Sequence, residues 1–135
     1  MNNHLNTEQL VRKVRSALPG TQAVYLFGSQ AKGQAREDSD LDIAVLTEGE
    51  FSETALWEVA QQIASNIGME VDLLDLNKAS TVMQLQVITQ GRQLYCADER
   101  ACGEFEDRVF SNYVWLNEER AGILQDIAKR GSIHG

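Results

Sequence analysis

Hydrophobic positions near the start of the chain first follow helical spacing and then form a short continuous run. Asn6 is a favourable N-cap, and Pro19 with Gly20 ends helices, so the sequence predicts a first helix between them. Its apolar residues recur at helical steps: Leu10, Val11, Val14, Ala17 and Leu18. The apolar run over residues 23–27 is bounded by glycines and predicts a buried strand.

A polar stretch separates this strand from a second one. Gly28-Ser29 ends the first strand, a short helix is predicted over residues 30–34, and residues 36–39 form a polar loop. Residues 40–46 predict a second strand, because alternate positions are apolar. The residues predicted to share its inner face are Leu41, Ile43 and Val45.

A strong amphipathic helix pattern follows the second strand. Ser52 is a favourable N-cap, and Gly68 is a favourable terminator, so a helix is predicted over residues 53–67. The residues predicted to form its inner face are Leu56, Val59, Ala60, Ile63 and Ile67.

The remaining chain predicts two more strands and two more helices. The strands lie over residues 71–76 and 92–96, with a short helix over 80–89 between them. A long helix is predicted over 98–130, and the segment 131–135 is expected to be frayed. The long helix would present one face made of Cys102, Phe105, Val109, Tyr113, Leu116, Ile123 and Ile127.

The order of these elements predicts the fold class. Strands that alternate with helices in a chain of 135 residues indicate an α/β (α+β) fold, in which helices flank a small mixed sheet. We expect a single domain over residues 1–135, with a core at about residues 5–95 and a long C-terminal helix.

Composition and charge narrow the class of partner. Hydrophobic residues make up 43% of the chain and charged residues 24%, which is typical of a globular domain. The formal net charge is -8, so direct binding to nucleic acid is not expected. Such acidity favours a basic partner or a cation-carrying ligand, or it serves only to keep the protein in solution.

Cysteine spacing and hydropathy indicate a cytoplasmic protein. Cys96 and Cys102 do not form a CxxC motif and are expected to be free thiols. No apolar run approaches the ~20 residues that span a bilayer, and the first ten residues have no signal-peptide core.

Two aspartates supply the first chemical signal. Asp40 and Asp42 are two positions apart on a predicted strand, so their carboxylates should project from one face, about 6–7 Å apart at the backbone. Like charges at this spacing repel unless a cation neutralises them. Magnesium prefers carboxylate oxygens, with water and substrate phosphates completing its shell. A lone Asp-x-Asp is usually only a solvated strand face.

Neighbouring residues complete a candidate site for a nucleoside triphosphate. Gly28 lets the backbone approach a phosphate closely, and Ser29 adds a hydroxyl donor at a predicted helix N-terminus. Asp72 lies on the next predicted strand and can reach the same metals if the two strands are neighbours. It would bind the metal under the attacking oxygen or take the proton of that oxygen. Asp75 is a weaker alternative, since it would point to the opposite face.

The combined motif resembles the signature of the DNA polymerase beta superfamily of nucleotidyltransferases. It consists of Gly28-Ser29, ten further residues, and then Asp40, Leu41 and Asp42. The short chain is similar to the minimal nucleotidyltransferase (MNT) branch. The resemblance implies two Mg²⁺ ions held by the motif aspartates and a third carboxylate, by position Asp72. The family often has arginine where this chain has Lys32, which keeps the charge but loses the bidentate fork. Lys32 either contacts phosphate or is a solvated lysine.

The resemblance also implies a partner and a reaction. MNT proteins often pair with a HEPN protein, typically an RNase toxin, and transfer AMP from ATP onto a tyrosine of that toxin. The expected function is therefore that of a Mg²⁺-dependent protein adenylyltransferase antitoxin. Two alternatives stay open: an antitoxin that acts by binding alone, and a nucleotidyltransferase for a small molecule such as an aminoglycoside.

Several aromatic residues could instead contact a partner. Core packing is the expectation for both Trp57 and Trp115. Phe110, Tyr113 and Trp115 lie too close together on the last predicted helix to face one core. The sequence therefore predicts an exposed apolar strip there, for a partner or for a second copy of the chain.

Overall fold

The computed structural model describes residues 6–28 and 40–134. The short helix predicted over 30–34 and the loop over 36–39 lie outside these residues. Within the described residues, eight elements follow one another: α1 (Thr7–Ala17), β1 (Thr21–Phe27), β2 (Leu41–Thr47), α2 (Glu53–Ile67), β3 (Val71–Asp75), α3 (Thr81–Gln90), β4 (Arg92–Cys96) and α4 (Glu99–His134).

Three helices begin at side-chain N-caps. The side chains of Asn6, Ser52 and Ser80 accept hydrogen bonds from backbone N–H groups three residues later, each at 3.1 Å. Such a cap satisfies an otherwise unpaired donor and stabilises a helix by about 1 kcal/mol. Gly68 ends α2 in the left-handed conformation, with φ of 71°. The predicted bounds of α2 are confirmed because both of its ends are set by local chemistry.

The four strands form one mixed sheet in the order β3-β2-β1-β4. β1 pairs antiparallel with β2 and with β4, whereas β2 and β3 are parallel. A parallel pair needs a crossover connection, and α2 supplies it. The predicted small mixed sheet flanked by helices is therefore confirmed.

Each face of the sheet is covered by two helices. On one face, the predicted inner residues of β2 pack against α1 and α2. On the other face, Ala44 and Leu46 of β2 pack against α3 and the start of α4. The buried side chains shared by β2 and α2 on the first face are Leu41, Ile43, Val45, Leu56, Val59, Ala60 and Ile63. Because both faces are covered, β2 is held rigidly and can position polar groups at its ends.

α4 differs from its predicted form in two ways. Cys102, Phe105 and Val109 are buried, but Ile123 is 54% exposed, so the predicted inner face meets the core only near the start of the helix. The helix also continues to His134, through most of the segment 131–135 that we expected to be frayed. No proline follows Pro19, and one helical glycine such as Gly131 costs only about 1 kcal/mol. Among the described helices, none combines the length and the hydropathy needed to cross a bilayer.

The expectation of two free thiols is wrong in this structure. Cys96 and Cys102 form a disulfide, with Cα atoms 6.6 Å apart. Cys96 is the last residue of β4, and Cys102 lies in the first turns of α4. The short connection between these elements turns the chain back on itself, which brings the two side chains together in a way that their sequence spacing does not reveal.

Candidate active site

Asp42 and Asp72 face each other across two neighbouring parallel strands. They are register partners in the β2–β3 pair, at the end of the sheet where both strands begin. Register partners project from the same face of a sheet, and adjacent strands lie about 4.8 Å apart. The structure therefore brings together two of the three predicted carboxylates, which are 30 positions apart in the sequence.

Asp40 lies just outside the strand on which it was predicted. β2 begins at Leu41, whose N–H donates to the carbonyl of Glu70 at 2.8 Å in the first bond of the ladder. Asp40 precedes this bond and is exposed. The predicted start of the second strand at residue 40 is therefore wrong by one residue, and the charge of Asp40 still acts on Asp42.

The three aspartates share one electrostatic environment. The pKa of Asp42 is raised above its ordinary value, first by burial and then by the negative charges of Asp72 and Asp40. Each of these causes disfavours the ionised carboxylate. A cation at this end of the sheet would relieve both the repulsion and the cost of burying a charge.

Gly28 packs directly against the Asp42 carboxylate. It follows Phe27, which is the register partner of Asp42 in the β1–β2 pair, and it has a φ of 75°. A Cβ atom at Gly28 would collide with Oδ2 of Asp42 and would lie 3.2 Å from its Cγ. The predicted phosphate-binding residue and the predicted metal ligand are therefore in contact. Ser29 and Lys32, the other predicted phosphate contacts, lie outside the described residues.

Asp75 has a structural environment of its own. It is 8% exposed, and its Oδ1 accepts a hydrogen bond from the N–H of Asn77 at 3.0 Å. It lies three positions after Asp72 on β3, so it projects to the other face of the sheet. Asp75 therefore stabilises the turn after β3, and Asp72 is the residue that meets Asp42.

The carboxylates suit magnesium bound together with a nucleotide. In residues 6–28 and 40–134, no group of three or more His, Cys, Asp or Glu side chains is placed so that it could hold a metal ion by itself. Magnesium often takes only one or two carboxylates and completes its octahedral shell with substrate phosphates and water. Asp42 and Asp72 could supply the carboxylates of such a site, with Asp40 beside them and Gly28 at the point where phosphates would enter.

A groove beside Asp72 contains Trp57 together with two residues that were not predicted from the sequence, Gln61 and Lys78. It lies between α2 and β3. Trp57 is 61% exposed and Trp115 is 63% exposed, so the expectation that both pack in the core is wrong. A signal was present in the helix periodicity, because positions 57 and 61 fall outside the predicted inner face of α2.

Comparison with known proteins gives one matching family and a similar enzyme. The family described as polymerase beta, nucleotidyltransferase matches residues 9–100. The protein adenylyltransferase MntA of Shewanella oneidensis is 40% identical over 123 residues, which are 91% of this chain and 88% of MntA.

Solved structures of toxin–antitoxin complexes are also similar to this chain. One contains AMP-PNP, and its matched chain is 40% identical with a TM-score of 0.83, covering 91% of this chain and 98% of that one. Another is the tri-AMPylated Shewanella oneidensis HEPN toxin in complex with an MNT antitoxin. Its matched chain is 37% identical with a TM-score of 0.76, covering 93% of this chain and 98% of that one.

Proposed function

This chain belongs to the polymerase beta nucleotidyltransferase family, and on that premise we propose that it is an antitoxin that adenylylates a HEPN-family partner toxin. It transfers AMP from ATP to a hydroxyl of the toxin, that of a tyrosine. The observation that carries the proposal is the register pair of Asp42 and Asp72 beneath Gly28. The similar AMP-PNP complex and the AMPylated HEPN toxin complex support ATP as donor and a protein as acceptor.

The residues divide the reaction between them. Asp40, Asp42 and Asp72 would hold two Mg²⁺ ions, which would offset the charge of the triphosphate and of the attacking oxygen. Gly28, Ser29 and Lys32 position the β- and γ-phosphates. The acceptor oxygen forms a bond to the α-phosphorus, and the bond from that phosphorus to the bridging oxygen of pyrophosphate breaks. Pyrophosphate leaves with the electron pair, and the carboxylate of Asp72 takes the hydroxyl proton.

The charge of the chain suits the proposed partner. A formal net charge of -8 favours a basic surface, which an RNA-cleaving toxin needs in order to hold its substrate. A cytoplasmic location is part of the proposal, because ATP, magnesium and the RNA substrates of such a toxin are found there.

Label transfer tests the proposal directly. The purified protein is incubated with magnesium, its HEPN partner and ATP labelled at the α-phosphate, and the experiment is repeated with γ-labelled ATP. We expect the partner to be labelled only from the α-position, and to be unlabelled with Asp40→Asn/Asp42→Asn. Transfer from the γ-position would indicate a kinase instead.

The same double variant separates the alternatives. If it still neutralises the toxin as well as the wild-type chain does, the antitoxin acts by binding alone. Label found only in a small-molecule fraction, with an unlabelled partner, would instead indicate a small acceptor.

A further inference from the structure

The groove between α2 and β3 has a volume of about 370 Å³ and includes Asp72 in its lining. We propose that this groove binds the tyrosine-bearing segment of the partner polypeptide in an extended conformation, with Trp57 as its anchor. The inference rests on the proposed function and adds to it the surface that selects the acceptor. The residues on which it depends are Trp57, Gln61, Val71, Asp72, Leu73 and Lys78.

The order of the strands places the nucleotide and the acceptor hydroxyl on opposite sides of Asp42. β2 carries Asp42 and lies between β1 and β3. Gly28, at the end of β1, lies on one side of Asp42, and Asp72 of β3 lies on the other. Because phosphates enter over Gly28, the attacking hydroxyl must reach the α-phosphorus from a different direction, since donor and acceptor cannot occupy the same space. Asp72 shares its face of β3 with Leu74, opposite α2, whereas Val71 and Leu73 face α2. A segment added along the outer edge of β3 carries side chains to both faces, so its tyrosine can approach Asp72 while its alternate residues face Trp57.

The outer edge of β3 offers backbone groups to an extended segment. Leu41 N–H donates to Glu70 O at 2.8 Å, and Leu76 N–H donates to Val45 O at 2.9 Å, so the even-numbered residues bond to β2. The N–H and C=O groups of Val71 and Leu73 therefore point away from β2. In the part of the chain that the structure describes, no strand pairs with that edge. A strand of five residues is about 17 Å long, enough for an added segment of similar length.

Trp57 supplies the apolar contact beside this edge. It is 61% exposed, although its neighbours Leu56 and Ala60 on α2 are buried at 7% and 4%. A large aromatic side chain left in solvent beside a groove is the type of residue that anchors polypeptide partners. Lys78 fixes another part of the groove, because its Nζ donates to the carbonyl of Phe51 at 3.0 Å.

The test compares two neighbouring glutamines of α2. Gln61 lines the groove, whereas Gln62 lies on the side of α2 that faces α1, and both are exposed. Initial rates of α-label transfer to the HEPN partner are measured for Trp57→Ala, Gln61→Arg and the matched control Gln62→Arg. Titration with AMP-PNP measures nucleotide binding separately, and thermal melts confirm folding.

We expect Trp57→Ala and Gln61→Arg to raise the KM for the partner about tenfold, or about 1.4 kcal/mol, which is typical of a side chain that contributes measurably to an interface. Their affinity for AMP-PNP should stay within twofold of wild type, and Gln62→Arg should match wild type throughout. The inference would be overturned if the KM for the partner were unchanged in both groove variants, or if both variants lost as much affinity for AMP-PNP as for the partner. Label transfer by the wild-type chain would then leave the proposed function intact.

Photo-crosslinking gives a second, independent readout. Benzoylphenylalanine at position 61 should crosslink to the partner peptide that contains the acceptor tyrosine, and the same group at position 62 should not. A crosslink from position 61 only to a peptide that lacks that tyrosine contradicts the proposal. A wild-type chain that transfers no label to its partner would remove the proposed function, and this inference with it.

Discussion

The backbone of Gly28 lies directly against the carboxylate of Asp42, with a φ of 75° at the glycine. The end of β1 therefore passes over the half-buried acid of β2 with no room for a side chain between them. This contact joins the two halves of the sequence motif, which are separated by ten residues, into one site. Its consequences can be measured.

Gly28→Ala should affect activity far more than stability. The left-handed conformation costs a non-glycine residue about 1–2 kcal/mol, and the new methyl group would displace the Asp42 carboxylate. A displacement of about 1 Å in an active site can reduce turnover about 100-fold. Gly68→Ala is the matched control, because Gly68 has a φ of 71° and nothing within 4 Å of an added Cβ. Urea denaturation and label transfer should show a similar loss of stability in both variants and a large loss of activity in Gly28→Ala alone.

Substitution of Asp72 should reduce activity, whereas substitution of Asp75 should reduce stability. Asp72→Ala removes a proposed metal ligand and proton acceptor, so transfer should fall by about 10²–10⁴-fold with the free energy of unfolding almost unchanged. Asp75→Ala removes the acceptor of the Asn77 N–H bond and should destabilise the fold by about 1 kcal/mol. Turnover should stay within a few-fold of wild type. The reverse pattern, with activity lost only in Asp75→Ala, would reassign the third carboxylate.

Asp42→Asn should stabilise the metal-free protein at neutral pH. The pKa of Asp42 is raised in the folded state by burial and by the neighbouring aspartates, so ionisation of this carboxyl lowers the stability of the fold. Below a carboxyl's ordinary pKa of ~3.9, Asp42 is protonated in both the folded and the unfolded state and contributes nothing. Its cost appears as pH rises through the raised pKa.

Thermal melts at several pH values test whether Asp42→Asn raises the stability of the metal-free protein. At pH 7 without magnesium, Asp42→Asn should be the more stable chain by less than about 1 kcal/mol, because solvent screens a carboxylate that is only partly buried. This gain should vanish below about pH 4. Magnesium with AMP-PNP should stabilise the wild-type chain more than the variant. A wild-type chain that is more stable than the variant at pH 7 without metal would contradict the proposed repulsion.

The apolar strip on α4 should behave as a contact surface. Phe105 is 3% exposed, and Phe105→Ala should cost about 3–5 kcal/mol of stability. Phe110 is 44% exposed, so Phe110→Ala should change stability by less than about 1 kcal/mol. We expect Phe110→Ala and Trp115→Ala to weaken association with the partner or with a second copy, measured by sedimentation. Unfolding of both variants, with association unaffected, would exclude an exposed contact role for the strip.

Local chemistry made most of the secondary structure predictable. The caps at Asn6, Ser52 and Gly68 set helix ends through bonds that span at most four residues, so the sequence contains them in full. The alternation of Leu41, Ile43 and Val45 in the same way determined which face of β2 is buried. The motif aspartates could be recognised because their spacing is short, but the register of the strands was needed to show which of them face each other.

Only the tertiary structure determined the features that require distant segments of the chain to come together. The parallel crossover through α2 places Asp72 opposite Asp42, and no local pattern determines which strands become neighbours. The disulfide between Cys96 and Cys102 depends on a turn between two elements. Trp57 is exposed because no described element covers that side of α2, and burial depends on what packs against a helix as well as on its periodicity. The sequence thus determined the elements and the candidate chemistry, and packing between elements brought the carboxylates together and left the groove open.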